Sequence, residues 1–243
     1  ELVETAINNN QLNDFVITIT TTQKEKLDTL QKNYQKKIDV QLLDCQKIDE
    51  LKACVQGKDI IILAMAPRKQ DFKTGLSFDD QFFNVFEGVY KTGVNNFIKV
   101  YKKLANKPKV VYMSAHSVYP NDIEKALDES TPLKGRHKVA SILIEADENI
   151  QKEIPDAIVL RLGWTIGPNR DWGRTLTQFK NFLKNFEIPG DGNIRGNFVH
   201  IQDVIRATLF ALKNNFKGVY NICNDAHPYF GELFNVAAAH LNI

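Results

Sequence analysis

The sequence carries no marked excess of either charge: 31 lysines and arginines stand against 29 aspartates and glutamates, a formal net charge of +2. With no basic surplus, nucleic acid and anionic membrane surfaces are not expected partners. The sequence also lacks any apolar run near the ~18 residues a membrane-spanning helix needs. Its longest, Ile60–Ala66, is the length of a strand. Cysteine is scarce. The three present, Cys45, Cys54 and Cys223, are odd in number and without metal-ligand spacing, so free thiols in a reducing cytoplasm are expected and a metal site is not. Repeats and low-complexity stretches are missing too. What is there, 43% hydrophobic and 25% charged residues over 243 positions, suffices for a proper core in one large or two small domains.

Glu1 already stands inside an amphipathic pattern, with Leu2/Ala6 and Val3/Ile7 four apart and no N-cap before them. The pattern predicts a helix over Glu1–Ile7 that begins upstream, and the chain is expected to be a fragment.

Strand and helix signals then alternate. Phe15–Thr21 is a β-branched run. Lys24–Lys37 reads as a polar helix, Val40–Asp44 as a strand and Ile48–Val55 as a helix closed by Gly57. Asp59–Ala66 is a continuous apolar run stopped by Pro67, as expected for a strand buried on both faces. A loop over Arg68–Asp80, a long helix over Gln81–Leu104 and a strand over Lys109–Ser114 follow. In the second half, Val139, Ile142, Leu143, Ala146 and Ile150 place one apolar stripe on a helix from Gly135. Ala157–Gly163 reads as a strand, Thr175–Leu183 as a helix, Phe198–His200 as an extended piece, and Asp203 as the N-cap of a helix to Leu212. Val219–Ile222 and Gly231–Leu241 complete the series as strand and helix. Such alternation predicts an α/β fold, a Rossmann-type doubly wound parallel sheet with a small C-terminal lobe on the substrate side. Residues 1–163 would form the dinucleotide-binding domain, and 164–243 would supply the substrate-side segments together with the last strand and helices. Ligands bind at the carboxyl ends of such strands, which singles out the segments after Thr21, Asp44, Ala66, Ser114 and Gly163.

Five segments in order resemble one family. Val110–Pro120 (VVYMSAHSVYP) resembles the Ser-Ser-x-x-Val-Tyr-Gly strand and turn of the extended short-chain dehydrogenase/reductases, the NAD-dependent epimerase/dehydratase group. Asp128–Asp147 is similar to the stretch bearing their Tyr-x-x-x-Lys helix, in an atypical basic version. Val159–Arg170, Gly196–Leu212 and Gly218–Asp225 resemble the Arg-Pro-Gly-x-Ile-Tyr-Gly-Pro, Phe-Val-His-Val-x-Asp-Val and Val-Tyr-Asn-Val segments. The resemblance implies a glycine-rich pyrophosphate turn between a first strand and first helix, upstream of Glu1.

The resemblance also implies roles. Lys138 matches the family's lysine, which bonds the nicotinamide ribose and lowers the tyrosine pKa. The tyrosine position, four earlier, holds Lys134, and the Ser/Thr position falls on Ala115 with Ser114 one place before it. Lys138, Lys134 and Ser114 are thus the candidate catalytic residues. Lys134 is read either as a perturbed acid/base or as a solvated surface lysine, and Ser114 either as a nicotinamide-side contact or as the end of a strand. Thr22, Asp44, Cys45, Ala64, Met65, Ala66, Leu162, Gly163 and Trp164 join Lys138 as candidate cofactor contacts. Tyr119, Arg195 and His200 are candidate substrate contacts; Tyr119 can equally pack beneath Pro120, and His200 can serve a structural hydrogen bond. His116 and His137 have no third ligand at metal spacing. Thr21-Thr22-Gln23-Lys24 offers hydroxyls and an ammonium where a carboxylate would favour NAD, so the cofactor is NAD(P) with a lean to NADP. A homodimer through the two long helices is expected by analogy with the family. The two functions left standing are an oxidoreductase or epimerase with an altered active site, and a catalytically silent dinucleotide-binding sensor or assembly partner.

Overall fold

The computed structural model describes residues 15–34, 38–67, 83–120, 126–135, 138–167 and 192–241. The helices expected over Glu1–Ile7 and Thr175–Leu183, and the loop over Arg68–Asp80, lie outside them. The described elements are β1 (Ile17–Thr21), α1 (Lys24–Tyr34), β2 (Ile38–Leu42), α2 (Ile48–Val55), β3 (Ile60–Leu63), α3 (Gly93–Lys103), β4 (Lys109–Ala115) and α4 (Lys138–Glu153). After them come β5 (Ile158–Leu162), β6 (Trp164–Ile166), β7 (Phe198–His200), α5 (Ile201–Lys213), β8 (Gly218–Ile222) and α6 (Phe230–Leu241). The chain divides into two compact units, one running to Leu160 and including Phe216–Tyr220, the other built mainly from Arg161–Asn215 and the residues from Asn221 onward.

In the first unit β1 pairs in parallel with β2, Ile17 opposite Ile38. β3 pairs in parallel with β4, Ile60 opposite Lys109, in a four-stranded sheet of order β3-β4-β5-β8. This is the expected α/β parallel-sheet architecture. Interior strands are buried as their composition dictates: Val110, Val111 and Tyr112 of β4 and Ile158, Val159 and Leu160 of β5 are all at most 1% exposed. Helices α2, α3 and α4 close this core with Leu51, Phe97 and Ile150. β3 departs from expectation. Ile60, Ile61 and Ile62 stay half-exposed and Leu63 is buried; among the described residues β3 pairs with β4 alone.

Two helices also differ from the sequence reading. The long helix before β4 is interrupted by a π-helical turn, Glu87–Thr92, with Gly93 N–H donating to Gly88 O. The next helix is described over Lys138–Glu153, and Gly135, its expected start, lies in coil. Pro132 and Gly135 lie in the coil before it, both poor helix formers.

In the second unit β6, which the sequence reading did not anticipate, pairs in parallel with β7, the expected extended piece. Trp164, Phe198 and Phe230 form an aromatic cluster with ring centroids 5.8–6.1 Å apart. Phe230 also lies 6.5 Å from Phe234, which is buried. The cap of α5 corrects another expectation. Asp203 sits inside the first turn and bonds Arg206 at 3.2 Å, while His200 is the cap, its Nδ1 accepting from Gln202 N–H at 3.3 Å. An imidazole nitrogen at the end of β7 thus does what the aspartate was expected to do.

Candidate functional site

The site is built first from the loops that follow the parallel strands. Beyond β1, Thr21 Oγ1 accepts from Gln23 N–H at 3.2 Å, and Thr22 is exposed. Leu43 N–H donates to Thr21 O at 2.9 Å, joining the ends of β1 and β2. Asp44 closes a turn: its Oδ1 accepts from Gln46 N–H at 3.0 Å, and its own N–H donates to Glu50. Asn96 of α3 donates its side-chain amide to Cys45 O and Gln46 O, pinning this loop to the helix.

Gly93 explains how the loops after β2 and β3 meet. A Cβ there would stand 2.6 Å from Cys45 Sγ, so glycine leaves room for that sulfur, and Met65 Sδ would lie at ordinary contact distance, 3.5 Å. The side chains of Cys45 and Met65 therefore pack toward the helix. Ala64 and Ala66 beside them are exposed. Small residues at a strand end leave the main chain open to a flat ligand. With the Asp44 carboxylate on the neighbouring loop, this donor set fits the adenosine part of a dinucleotide.

The end of β4 turns its polar group inward. Ser114, 7% exposed, donates its hydroxyl to Asp147 Oδ2 at 2.5 Å, and Gln151 Nε2 donates to the other carboxylate oxygen at the same distance. Asp147 is fully buried. Tyr112, one alternate position earlier on β4, is buried on the same side, and burial pushes its phenol well above the usual range, helped by nearby Tyr90 and Asp147. Its hydroxyl has no hydrogen-bond partner among the described residues. Tyr119 is 6% exposed and packs with Val118 and Leu143.

Lys134 does not share a helical face with Lys138. It is exposed in the coil before α4, and its N–H donates to Val118 O at 3.0 Å, tying that coil to the turn after β4. Lys138 is the first described residue of α4. The i, i+4 geometry expected of the pair is absent because Lys134 lies in coil. His116 lies in the short 3-10 turn after β4, while His137 is outside the described residues. No group of three or more potential metal ligands occurs among the described residues.

The second unit holds the other candidates. Gly163 N–H donates to Ile222 O, and Trp164 N–H to Asn197 O. A Cβ on Gly163 would lie 2.7 Å from Asn197 O, so the close approach of these two segments requires glycine. Leu162 and Trp164 are half-buried. Arg195 is exposed and donates to His227 O at 3.2 Å and to Tyr229 Oη at 2.9 Å. His200 is occupied as the α5 cap.

Asp147 was not foreseen from the sequence. The signal was there: it lies between Ala146 and Ile150 and four after Leu143, a carboxylate against the apolar stripe of its helix. Tyr229 was also missed, since nothing in PYFGEL sets that tyrosine apart.

A parallel α/β sheet covered by helices in this order is a Rossmann-like fold. The chain belongs to the NAD dependent epimerase/dehydratase family, whose profile matches residues 2–223. It is 25% identical over 173 residues to human dTDP-D-glucose 4,6-dehydratase, covering 68% of this chain and 47% of that enzyme. The bovine enzyme is matched equally well over 46% of its length, so the chain spans about half of these relatives. Among solved structures it is similar to the DesIV dTDP-glucose 4,6-dehydratase of Streptomyces venezuelae with NAD bound, at TM-score 0.79 and 17% identity over 99% of this chain and 77% of that one. A UDP-glucuronic acid 4-epimerase from Bacillus cereus gives TM-score 0.77 at 17% identity, with 100% and 79% covered. No helix among the described residues is long and apolar enough to cross a membrane.

Proposed function

We propose that this protein binds NAD(P) and a nucleotide sugar and works as an oxidoreductase or epimerase whose acid/base group is not the family's tyrosine. The observation that carries the reading is the convergence of the loops after β2 and β3 around Gly93, which leaves Ala64 and Ala66 open beside Asp44. Thr22, Asp44, Cys45, Ala64, Met65 and Ala66 would hold the adenosine part, and Lys138, Leu162, Gly163 and Trp164 the nicotinamide part. The bound nicotinamide would supply hydride transfer. Lys138 is the candidate proton carrier, with Lys134 as the alternative. The lean to NADPH rests on Thr21-Thr22-Gln23-Lys24, which presents no carboxylate to a ribose 2′-hydroxyl. Arg195 would take the anionic part of the substrate. A cytoplasmic location and a homodimer through α4 and the helix ending in α3 belong to the same proposal.

A second reading, a silent dinucleotide-binding sensor or assembly partner, is favoured by one observation. Ser114 donates to buried Asp147 and Lys134 lies off the helix, so neither stands in the family's catalytic arrangement. We also propose that one further parallel strand belongs between β1 and β3. Those strands pair only with β2 and β4 among the described residues. Lys58 Nζ, two residues before β3, reaches Thr18 Oγ1 of β1 at 2.7 Å. An extended lysine suits a gap of two strand spacings, about 10 Å.

The test is parallel titration of the full-length protein with NADH and NADPH by nicotinamide fluorescence, on wild type and Lys138→Ala, followed by turnover assays with dTDP- and UDP-sugars. Binding that Lys138→Ala weakens at least about tenfold, the loss of a charged hydrogen bond, supports the cofactor site, and steady turnover supports the enzyme. Binding without turnover favours the silent reading. Binding of neither cofactor refutes both.

A further inference from the structure

Arg195 is held in an unusual way for an exposed arginine. Its Nη1 donates to the main-chain oxygen of His227, and its Nη2 donates to the phenol of Tyr229. The guanidinium carbon also lies 4.3 Å from the Tyr229 ring centroid. The backbones of the two residues form an antiparallel bridge, flanked by Gly196 N–H to Pro228 O and Phe230 N–H to Ile194 O. His227 adopts φ +41°, a left-handed turn that sets its carbonyl at the end of this strap. The Glu232 carboxylate accepts from Tyr229 N–H at 2.9 Å, and Arg195 makes no ion pair among the described residues. All the groups that hold the guanidinium are therefore neutral. They fix its orientation and, among the described residues, leave its charge without a carboxylate partner and three of its five N–H donors open.

We propose that Tyr229 is the positioning residue for Arg195, holding the guanidinium flat so that its open edge makes a two-pronged contact with the diphosphate of a nucleotide sugar. This rests on the nucleotide-sugar reading above. Arginine that is free to rotate loses side-chain entropy when it binds phosphate; one already stacked and hydrogen-bonded loses less. A carboxylate partner would have oriented it equally well, but would have cancelled the charge the ligand needs.

The experiment is calorimetric titration of the full-length protein with UDP and with dTDP, on wild type, Arg195→Ala, Tyr229→Ala and Tyr229→Phe, with thermal midpoints and NADH affinity recorded for each. Arg195→Ala should weaken nucleoside diphosphate binding about tenfold or more, the loss of charged hydrogen bonds. Tyr229→Ala should weaken it roughly fivefold, and Tyr229→Phe, which keeps the ring, should recover part of that. Thermal midpoint and NADH affinity should stay at wild-type values in all three. If Arg195→Ala weakens binding and Tyr229→Ala does not, the positioning role is wrong while the anion site stands. If Tyr229→Ala lowers the midpoint and NADH affinity together, Tyr229 is structural and the proposal fails. Wild-type protein that binds neither diphosphate, or Arg195→Ala that binds as wild type does, removes the nucleotide-sugar reading itself.

Discussion

Replacing Tyr112 with phenylalanine should stabilise the protein. The residue sits in the interior strand β4, 1% exposed, and its hydroxyl meets no hydrogen-bond partner among the described residues. An unpartnered buried hydroxyl costs about 1–3 kcal/mol relative to water, and phenylalanine keeps the ring packing while removing that cost. We expect a gain of about 1 kcal/mol at pH 7, a rise in thermal midpoint of roughly 2–4 °C for a chain of this size. The pH dependence carries the sharper test. Burial, with Tyr90 and Asp147 nearby, holds the phenol well above its ordinary value of 10.0. Above that pH the unfolded chain releases the proton while the native chain retains it, so the unfolded state binds fewer protons and stability falls as pH rises. Once the unfolded phenol is fully ionised, and until pH reaches the raised native value, the loss approaches about 1.4 kcal/mol per pH unit. Tyr112→Phe lacks this contribution, so its advantage should widen through the alkaline range. Urea denaturation of both proteins between neutral and alkaline pH measures it, with phenolate absorbance as the direct readout. A variant less stable than wild type by 1 kcal/mol or so would show that the hydroxyl is satisfied, and an advantage that stays constant with pH would show that the phenol ionises in the native state as it does in water.

Two further substitutions probe the same core. Gly93→Ala should destabilise by about 1–3 kcal/mol through overpacking, despite the higher helix propensity of alanine, because its Cβ would stand 2.6 Å from Cys45 Sγ; adding Cys45→Ala should restore most of the loss in a urea denaturation series, and an absence of rescue would refute the clash. Ser114→Ala should cost about 1.5–3 kcal/mol, the range for a hydrogen bond to a charged group, since it removes a donor at 2.5 Å from the buried Asp147 carboxylate. Asp147→Asn, which can still accept from Ser114, should cost less than Asp147→Ala in the same assay, and equal losses would count against the hydrogen bond as the source.

The fold was legible in the sequence because its signals are local. Period-two and continuous apolar runs at β1, β4 and β5, with apolar stripes on α4 and α5, state which face each element buries, and the α/β parallel sheet follows from their order. Side-chain direction at the site was not legible to the same degree. Lys134 and Lys138 have helical spacing on paper, but spacing means a shared face only where a helix exists, and Lys134 lies in coil. Ser114 shows a related limit. A strand alternates its faces, so a serine at the end of β4 points either to the ligand side or to the helix side. The partner that settles it, Asp147, is 33 positions away. His200 and Asp203 compete for one cap, and propensity favours the aspartate. The chain leaves β7 so that His200 takes the position before the first helical residue, and the imidazole caps there. In each case the residue type was right for the chemistry expected of it, and the long-range partner decided what it does. The same holds for Arg195, whose neighbours on the strap lie more than thirty positions downstream. Its stacking on Tyr229 follows from the pairing of two segments distant in sequence.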